Sequence, residues 1–358
     1  MQIGTGHIMR CLTLADELRE RGVEVYFICR MLPGNLCDLI EQKGYIVYRL
    51  PYPGQQPDSV THHAQLLEAN WQADAEETRT ILEKETGGID WLIVDHYALD
   101  IRWETLMRPH AKKIMVIDDL ADRPHDCDLL LDQNLYENME TRYQTLIPGH
   151  CLTLLGPGYV LLRPEFKKVR QNLRQRDGTV KRILIFFGGS DLTNETAKAL
   201  KAVQPINRPE VVIDVVVGST NLHKEELQKL CSARPNTSFY CQVKNMAELM
   251  AVADLAIGAG GTTTWERCFL GLPSITLIVA QNQADIIRAV AAKGAAWNLG
   301  WSGSVSPEIL AEAIKMAMND PVALKDMGLT AMRLMGEVSF HRENPVVQAL
   351  LEDKNAVA

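Results

Sequence analysis

Three groups of residues in this chain have the types and spacing to do chemistry on a phosphorylated substrate. The first is Ile3-Gly4-Thr5-Gly6-His7-Ile8-Met9-Arg10, a glycine loop that runs into a helix. Glycines let a backbone approach a ligand closely, and the helix aims unpaired N–H groups and the positive end of its dipole at whatever lies in front. An anion is expected there, and imidazole titrates near neutrality, so His7 can act as general base or proton donor. A glycine turn with a polar cap is the plainer reading of the same residues.

The second group is Gly258-Ala259-Gly260-Gly261-Thr262-Thr263-Thr264-Trp265-Glu266, directly after the apolar run Leu255-Ala256-Ile257. A strand entering such a turn, with a helix starting at Thr262 or Thr263, can hold a diphosphate on backbone N–H groups and hydroxyls. Glu266, one turn in, can accept from the vicinal hydroxyls of a ribose. An N-cap with a first-turn acid is the alternative, but it does not account for three glycines.

The third group is a set of polar strand ends. Trp91–Val94 ends in Asp95-His96-Tyr97, Ile114–Ile117 in Asp118-Asp119, and Leu129–Leu131 in Asp132-Gln133-Asn134. In open parallel sheets ligands bind beyond the carboxyl ends of the strands, so these tips are expected to face one cleft. Each single one is also an ordinary helix cap or turn former. A further strand, Ile183–Phe187, ends in Gly188-Gly189-Ser190-Asp191 and repeats the strand, glycine loop, helix arrangement. Asn282 and Gln283, after the strand Ser274–Val279, can read hydroxyl or acetamido groups.

The elements that must position these residues alternate between helix and strand. Apolar residues at Ile8, Leu12, Ala15 and Leu18 predict a helix from His7 to Arg21, stopped by Gly22. Strands follow at Val23–Ile28 and Tyr45–Leu50 around a helix at Asn35–Lys43, then a loop at Pro51–Asp58 and one or two surface helices within Val60–Glu85. Arg163–Lys181 is basic and polar and reads as a linker. Beyond it lie strands at Val211–Val217 and Thr237–Cys241, and helices at Asn194–Val203, Met246–Val252, Gln283–Lys293, Pro307–Met318 and Pro345–Leu351. The pattern is α/β: two Rossmann-like, doubly wound domains, 1–165 and 180–340, with residues 341–358 packing back on the first.

With 358 residues, two domains are the default, and 46% apolar content supports ordinary cores. A net charge of −8 without any basic run argues against a nucleic-acid partner. No signal peptide or membrane-length apolar run is present. The eight cysteines form no C-x-x-C pair, which fits a reducing, cytoplasmic setting, and the nine histidines lack metal spacing. No metal and no cofactor are expected. A dehydrogenase is disfavoured, because no G-x-G-x-x-G is followed by an acid at dinucleotide spacing; a sugar nucleotide fits better.

Two such domains, with phosphate chemistry concentrated in the second, describe the GT-B architecture. The chain resembles, over nearly its whole length, the UDP-2,4-diacetamido-2,4,6-trideoxy-β-L-altropyranose hydrolases of pseudaminic acid biosynthesis, a route to flagellin glycosylation. The resemblance rests on Gly4-Thr5-Gly6-His7-x-x-Arg10-Cys11-Leu12, Val94-Asp95-His96-Tyr97, Ile117-Asp118-Asp119, Asp132-Gln133-Asn134, Phe187–Asp191 and Gly258–Glu266. The last of these is shared with the peptidoglycan N-acetylglucosaminyltransferase.

The resemblance implies a metal-independent, inverting hydrolysis at the anomeric carbon by a monomer. His7 takes the proton of the attacking water, the N–H groups of Gly260, Gly261 and Thr262 hold the leaving diphosphate, and Glu266 holds the ribose. Gly6, Arg10, Asp95, His96, Tyr97, Asn134, Gly188, Gly189, Ser190, Thr263, Asn282 and Gln283 are candidate substrate contacts, with Asp95 or His96 as the alternative base and Asp118 as a further site residue. A glycosyltransferase using a UDP-sugar and a non-catalytic sugar-nucleotide binder are the rival readings. In the family the His7 loop follows an N-terminal strand, whereas here Met1 stands just before Gln2-Ile3; the expectation is that this strand is missing and that the true start lies upstream.

Overall fold

The structure is a computed structural model that describes residues 5–32, 34–52, 71–85, 87–206, 208–336 and 344–352. They fall into two compact units, one from Met1–Asn134, Asn138–Leu161 and Arg342–Ala358, the other from Leu135–Glu137 and Leu162–His341. The loop at 51–58 and the segment 60–85 lie partly outside the described residues, as do Ile3, Gly4 and the question of a strand before them.

In the first unit, α1 (Thr5–Arg19) turns Leu12, Leu14, Ala15 and Leu18 inward. It begins two residues earlier than the apolar spacing predicts, so Gly6 is helical. β1 (Tyr26–Arg30), α2 (Cys37–Gln42) and β2 (Ile46–Leu50) follow, with β1 and β2 paired in parallel. After α3 (Trp71–Leu82) come β3 (Trp91–Val94), α4 (Ile101–Met107), β4 (Lys113–Ile117), β5 (Leu129–Asp132) and β6 (Leu152–Leu155). These four strands form a parallel sheet in the order β3-β4-β5-β6. Ile114, Val116, Leu130 and Cys127 pack on one face of it, and Met115, Ile117, Leu129 and Leu131 on the other. Sheets buried on both faces need such continuous apolar runs. Sequence reasoning did not predict β6, because Leu152 and Thr153 are exposed and its run is short.

The second unit opens with α5 (Pro164–Arg170), so the basic segment expected as a linker is instead built into this unit. Its arginines close helix ends. Arg176 donates to Met250, Ala253 and Leu270 carbonyls at 2.7, 2.8 and 2.6 Å, and Arg174 pairs with Asp254 at 2.5 Å. Carbonyls in a helix's last turn have no partner within the helix, and guanidinium forks supply one.

β7 (Arg182–Phe186), α6 (Glu195–Val203), β8 (Val212–Val217), α7 (Lys224–Ser232), β9 (Thr237–Cys241), α8 (Met246–Val252), β10 (Leu255–Ala259), α9 (Thr262–Phe269), β11 (Ser274–Ile278), α10 (Gln281–Ala292) and β12 (Trp297–Trp301) complete a six-stranded parallel sheet. Its order is β12-β11-β10-β7-β8-β9, so the winding reverses between β7 and β10. That reversal opens a crevice at the carboxyl ends of these two strands. α11 (Pro307–Asn319) and α12 (Pro321–Leu334) follow, and α13 (Pro345–Leu351) returns to the first unit. There Val346, Val347 and Leu350 pack with Leu14, Leu18 and Ile117, and Trp91 Nε1 donates to the Leu350 carbonyl at 3.1 Å.

Gly178 fixes the entry to β7. It holds φ +89°, and a Cβ there would lie 1.8 Å from the carbonyl oxygen of Pro321, the first residue of α12. Gly178→Ala should therefore destabilise the protein by about 3 kcal/mol or more. Urea denaturation measures this, and an unchanged midpoint would show that the loop rearranges freely.

Candidate functional site

The functional side chains of the first unit gather where α1 starts and β3 ends. Asp95 follows β3, its carboxylate 4% exposed. Arg10 grips it with two bonds, Nε to Oδ2 at 2.6 Å and Nη2 to Oδ1 at 2.5 Å. His7, one turn earlier on α1, places Nδ1 2.5 Å from Asp95 Oδ1. A carboxylate only accepts, so Nδ1 carries the hydrogen, and Arg10 Nη2 at 3.1 Å is a neighbour rather than a donor into that nitrogen. This tautomer leaves His7 Nε2 with its lone pair available, the arrangement a general base requires.

The surroundings hold this geometry. Tyr97 sets its ring edge-on to His7, centroids 4.6 Å apart. Burial disfavours ionised Asp95, but Arg10 and His7 more than offset it and keep the carboxyl well below the usual range. Arg10 also reaches Asp119 at 3.7 Å, and Asn134 Nδ2 donates to Asp119 Oδ2 at 3.3 Å. Burial pushes the Tyr97 hydroxyl above its ordinary value, and its hydrogen bond to Asp119 adds to this, so it stays a neutral donor.

His7, Arg10, Asp95, Tyr97 and Asn134 therefore converge, and Gly6 lies in the same helical turn. His96 does not join them in the expected way. Its Nδ1 accepts from the Ala98 N–H at 3.1 Å, and burial pushes the imidazole down to about 4. Asp118 is also turned away: it bonds Ala121 N–H, Tyr143 and Arg123 and is 1% exposed. Sequence spacing marks both as strand-tip polar groups but cannot tell a turn lock from a ligand contact.

In the second unit, Gly188, Gly189 and Ser190 follow β7 and Gly260-Gly261 follows β10, on the two sides of the winding reversal. The glycines of the latter turn have different reasons. A Cβ on Gly258 would meet the Phe186 carbonyl oxygen at 2.3 Å, and one on Gly260 would meet Ile287 Cδ1 at 2.6 Å. Packing alone demands these two. Gly261, at φ +101° with nothing nearer to its missing Cβ than Gln283 Nε2 at 3.9 Å, leaves open space before the α9 N-terminus.

Thr262 and Thr263 sit half-buried in that first turn, whereas Thr264 is buried. Asn282 and Gln283 belong to the first turn of α10 rather than to a strand tip; Asn282 is exposed, and Gln283 leans on Gly260 and Gly261. Glu266 is buried, with Oε1 taken by Arg163 at 2.9 Å and Oε2 buried without a hydrogen-bond partner. Burial raises its pKa, against Arg163. Gln283 Oε1 is likewise buried and unpartnered. Two such acceptors beside one open loop can receive hydroxyl or amide donors. Sequence reasoning missed Arg163, because nothing in local spacing links it to a residue 103 positions away.

Among the described residues no group of three or more His, Cys, Asp or Glu side chains is placed to hold a metal ion, and no helix is long and apolar enough to cross a membrane.

This fold and these sites define a two-domain α/β protein of the GT-B architecture. Solved structures agree: MurG of Acinetobacter baumannii superposes with a TM-score of 0.62 over 99% of this chain and 97% of its own, at 15% identity. Residues 183–338 match the glycosyltransferase family 28 C-terminal domain. The chain is similar to the UDP-2,4-diacetamido-2,4,6-trideoxy-β-L-altropyranose hydrolase of Campylobacter jejuni, with 27% identity over 82% of its own length and 93% of that protein's. It is also 28% identical to the uncharacterized protein MJ1062 of Methanocaldococcus jannaschii over 80% of its own length, but spans only 55% of that protein.

Asp95→Asn would leave buried Arg10 with only the Asp119 carboxylate at 3.7 Å, and should cost about 3 kcal/mol of stability. Arg10→Met combined with Asp95→Asn removes both charges and should recover much of this. Denaturant titration of the three variants checks it; a single variant as stable as the parent would show that the pair holds nothing in place.

Proposed function

We propose that this protein hydrolyses a UDP-sugar at the anomeric carbon to UDP and free sugar, with water as nucleophile, inversion of configuration and no requirement for a metal ion. The observation that carries this is the His7–Asp95 pair, in which Asp95 Oδ1 lies 2.5 Å from Nδ1 and orients the ring so that Nε2 can take a proton. Nε2 takes a proton from water as its oxygen bonds the anomeric carbon; the bond to the diphosphate oxygen breaks, and its electron pair leaves with UDP. Asp95 and Arg10 orient the imidazole, and Tyr97 and Asn134 line its surroundings. The N–H groups of Gly260, Gly261 and Thr262, with Thr263, receive the diphosphate. Glu266 takes the ribose through Oε2, and Gly188, Gly189, Ser190, Asn282 and Gln283 complete the nucleotide-sugar contacts.

The substrate we assign is UDP-2,4-diacetamido-2,4,6-trideoxy-β-L-altropyranose, on the likeness to the Campylobacter hydrolase, in pseudaminic acid biosynthesis, as for the similar Helicobacter pylori protein, and hence flagellin glycosylation. Eight free thiols suit a reducing compartment, and we place a monomeric enzyme in the cytoplasm. A glycosyltransferase, in which an acceptor hydroxyl replaces water, is the second reading, supported by the family 28 domain.

Incubating the purified protein with a panel of UDP-sugars should release UDP from the diacetamido sugar without any acceptor. Release only on adding an acceptor would establish the transferase, and binding without release a sugar-nucleotide binder. His7→Asn should retain UDP affinity while kcat falls by about 10²–10⁴-fold; near-normal turnover would remove His7 from the chemistry.

A further inference from the structure

The turn between β10 and α9 is backed by a buried cation that forms no ion pair among the described residues. Arg267, on α9, is 2% exposed. Its Nη2 donates to the Ala259 carbonyl at 2.8 Å and to Thr264 Oγ1 at 3.2 Å, both within the turn. Its Nε is buried without a hydrogen-bond partner. Among the described residues no carboxylate forms an ion pair with it; the adjacent Glu266 is bonded to Arg163 instead. Burial pulls the guanidinium down to about 10, which leaves it charged at neutral pH.

A fold normally avoids this arrangement. A buried cation needs a partner to offset lost hydration, and a cation folded back toward a helix N-terminus also opposes the positive end of the dipole. The other buried arginine among the described residues, Arg10, has Asp95, and the half-buried Arg176 has at least three carbonyls. The space is also fitted to it, because a Cβ on Gly258 would come within 2.8 Å of Arg267 Nη1.

We propose that Arg267 is a built-in counter-charge for a nucleoside diphosphate. It is held behind the Gly260–Thr263 turn so that an anion seated on the N–H groups in front completes its charge balance. Arg267 is a positioning residue: it acts through Ala259 and Thr264 and does not touch the ligand. The inference rests on reading this turn as the diphosphate site. It adds that the ligand-free protein carries an electrostatic penalty which binding relieves in proportion to the phosphate charge.

Isothermal titration of the full chain with uridine, UMP and UDP tests this, with Arg267→Gln removing the charge and Arg267→Lys restoring it. In Arg267→Gln, uridine affinity should stay within about twofold while UDP affinity falls about 10- to 100-fold, the size expected for losing one nearby charge in a partly screened site, with UMP between them. Arg267→Lys should recover most of the UDP loss, and the ligand-free melting temperature of Arg267→Gln should not lie below the parent's by more than a few degrees. Equal weakening of all three ligands, or unchanged UDP affinity, would overturn the proposal and leave Arg267 a packing residue. If Arg267→Gln does not fold, Arg267→Lys decides: it must keep the parent's ratio of UDP to uridine affinity within about threefold, and a collapsed ratio overturns the idea. A parent protein that binds none of the three ligands refutes the nucleotide reading itself; one that binds UDP with no change in Arg267→Gln refutes only the role of Arg267.

Discussion

A carboxylate taken out of water at the end of a buried strand must find a cation or give up its charge. Much of the first unit's chemistry-bearing tip follows from that constraint. Asp95, Asp118 and Asp132 end three adjacent parallel strands, and each is matched by an arginine: Arg10 at 2.5 Å, Arg123 at 3.0 Å and Arg142 at 2.6 Å. The outcomes differ. Arg10 and His7 together hold Asp95 ionised, whereas burial pushes Asp132 up to about 7 despite Arg142. Neighbours decide which of three similar acids stays a carboxylate able to orient an imidazole.

The turn between β10 and α9 handles charge differently. Its acid, Glu266, shares only one oxygen with Arg163, and its buried arginine, Arg267, forms no ion pair among the described residues. Closed ion pairs rigidify; half-satisfied buried groups are costly and are retained where something else completes them. The contrast supports the proposed division, with positioning in the first unit's network and ligand capture at the second unit's turn. The winding reversal between β7 and β10 supplies the location, because neighbouring strands whose connections leave in opposite directions cannot cover the space between their carboxyl ends.

The glycine-rich turn shows why motif reading alone overestimates ligand contact. Gly258 and Gly260 would be required by Phe186, Arg267 and Ile287 even in a protein that bound nothing. Only Gly261 combines a left-handed backbone with open space in front. The proposal of a phosphate turn therefore rests less on the number of glycines than on this one residue, the α9 N-terminus and the unpartnered atoms beside them.

The sequence by itself determined the α/β class, the parallel winding and the addresses of the chemistry. Apolar runs such as Ile114–Ile117 and Leu129–Leu131 can only be buried strands, and strand ends rich in Asp, Asn and Gly must be polar tips or turns. It left β6 and β12 unread, because half-exposed strands such as Leu152–Leu155 and Trp297–Trp301 lack both a continuous apolar run and a clear alternation. It also could not separate Asp95 from Asp118, since both directly follow an apolar strand, and it left His96 as an alternative to His7. The tertiary structure separated them by bringing residues 88 positions apart, His7 and Asp95, within hydrogen-bond reach while giving His96 to a backbone N–H and Asp118 to Arg123. Local pattern encodes which face of an element is buried. Which charge meets which depends on packing between elements distant in the chain, and that is written only in three dimensions.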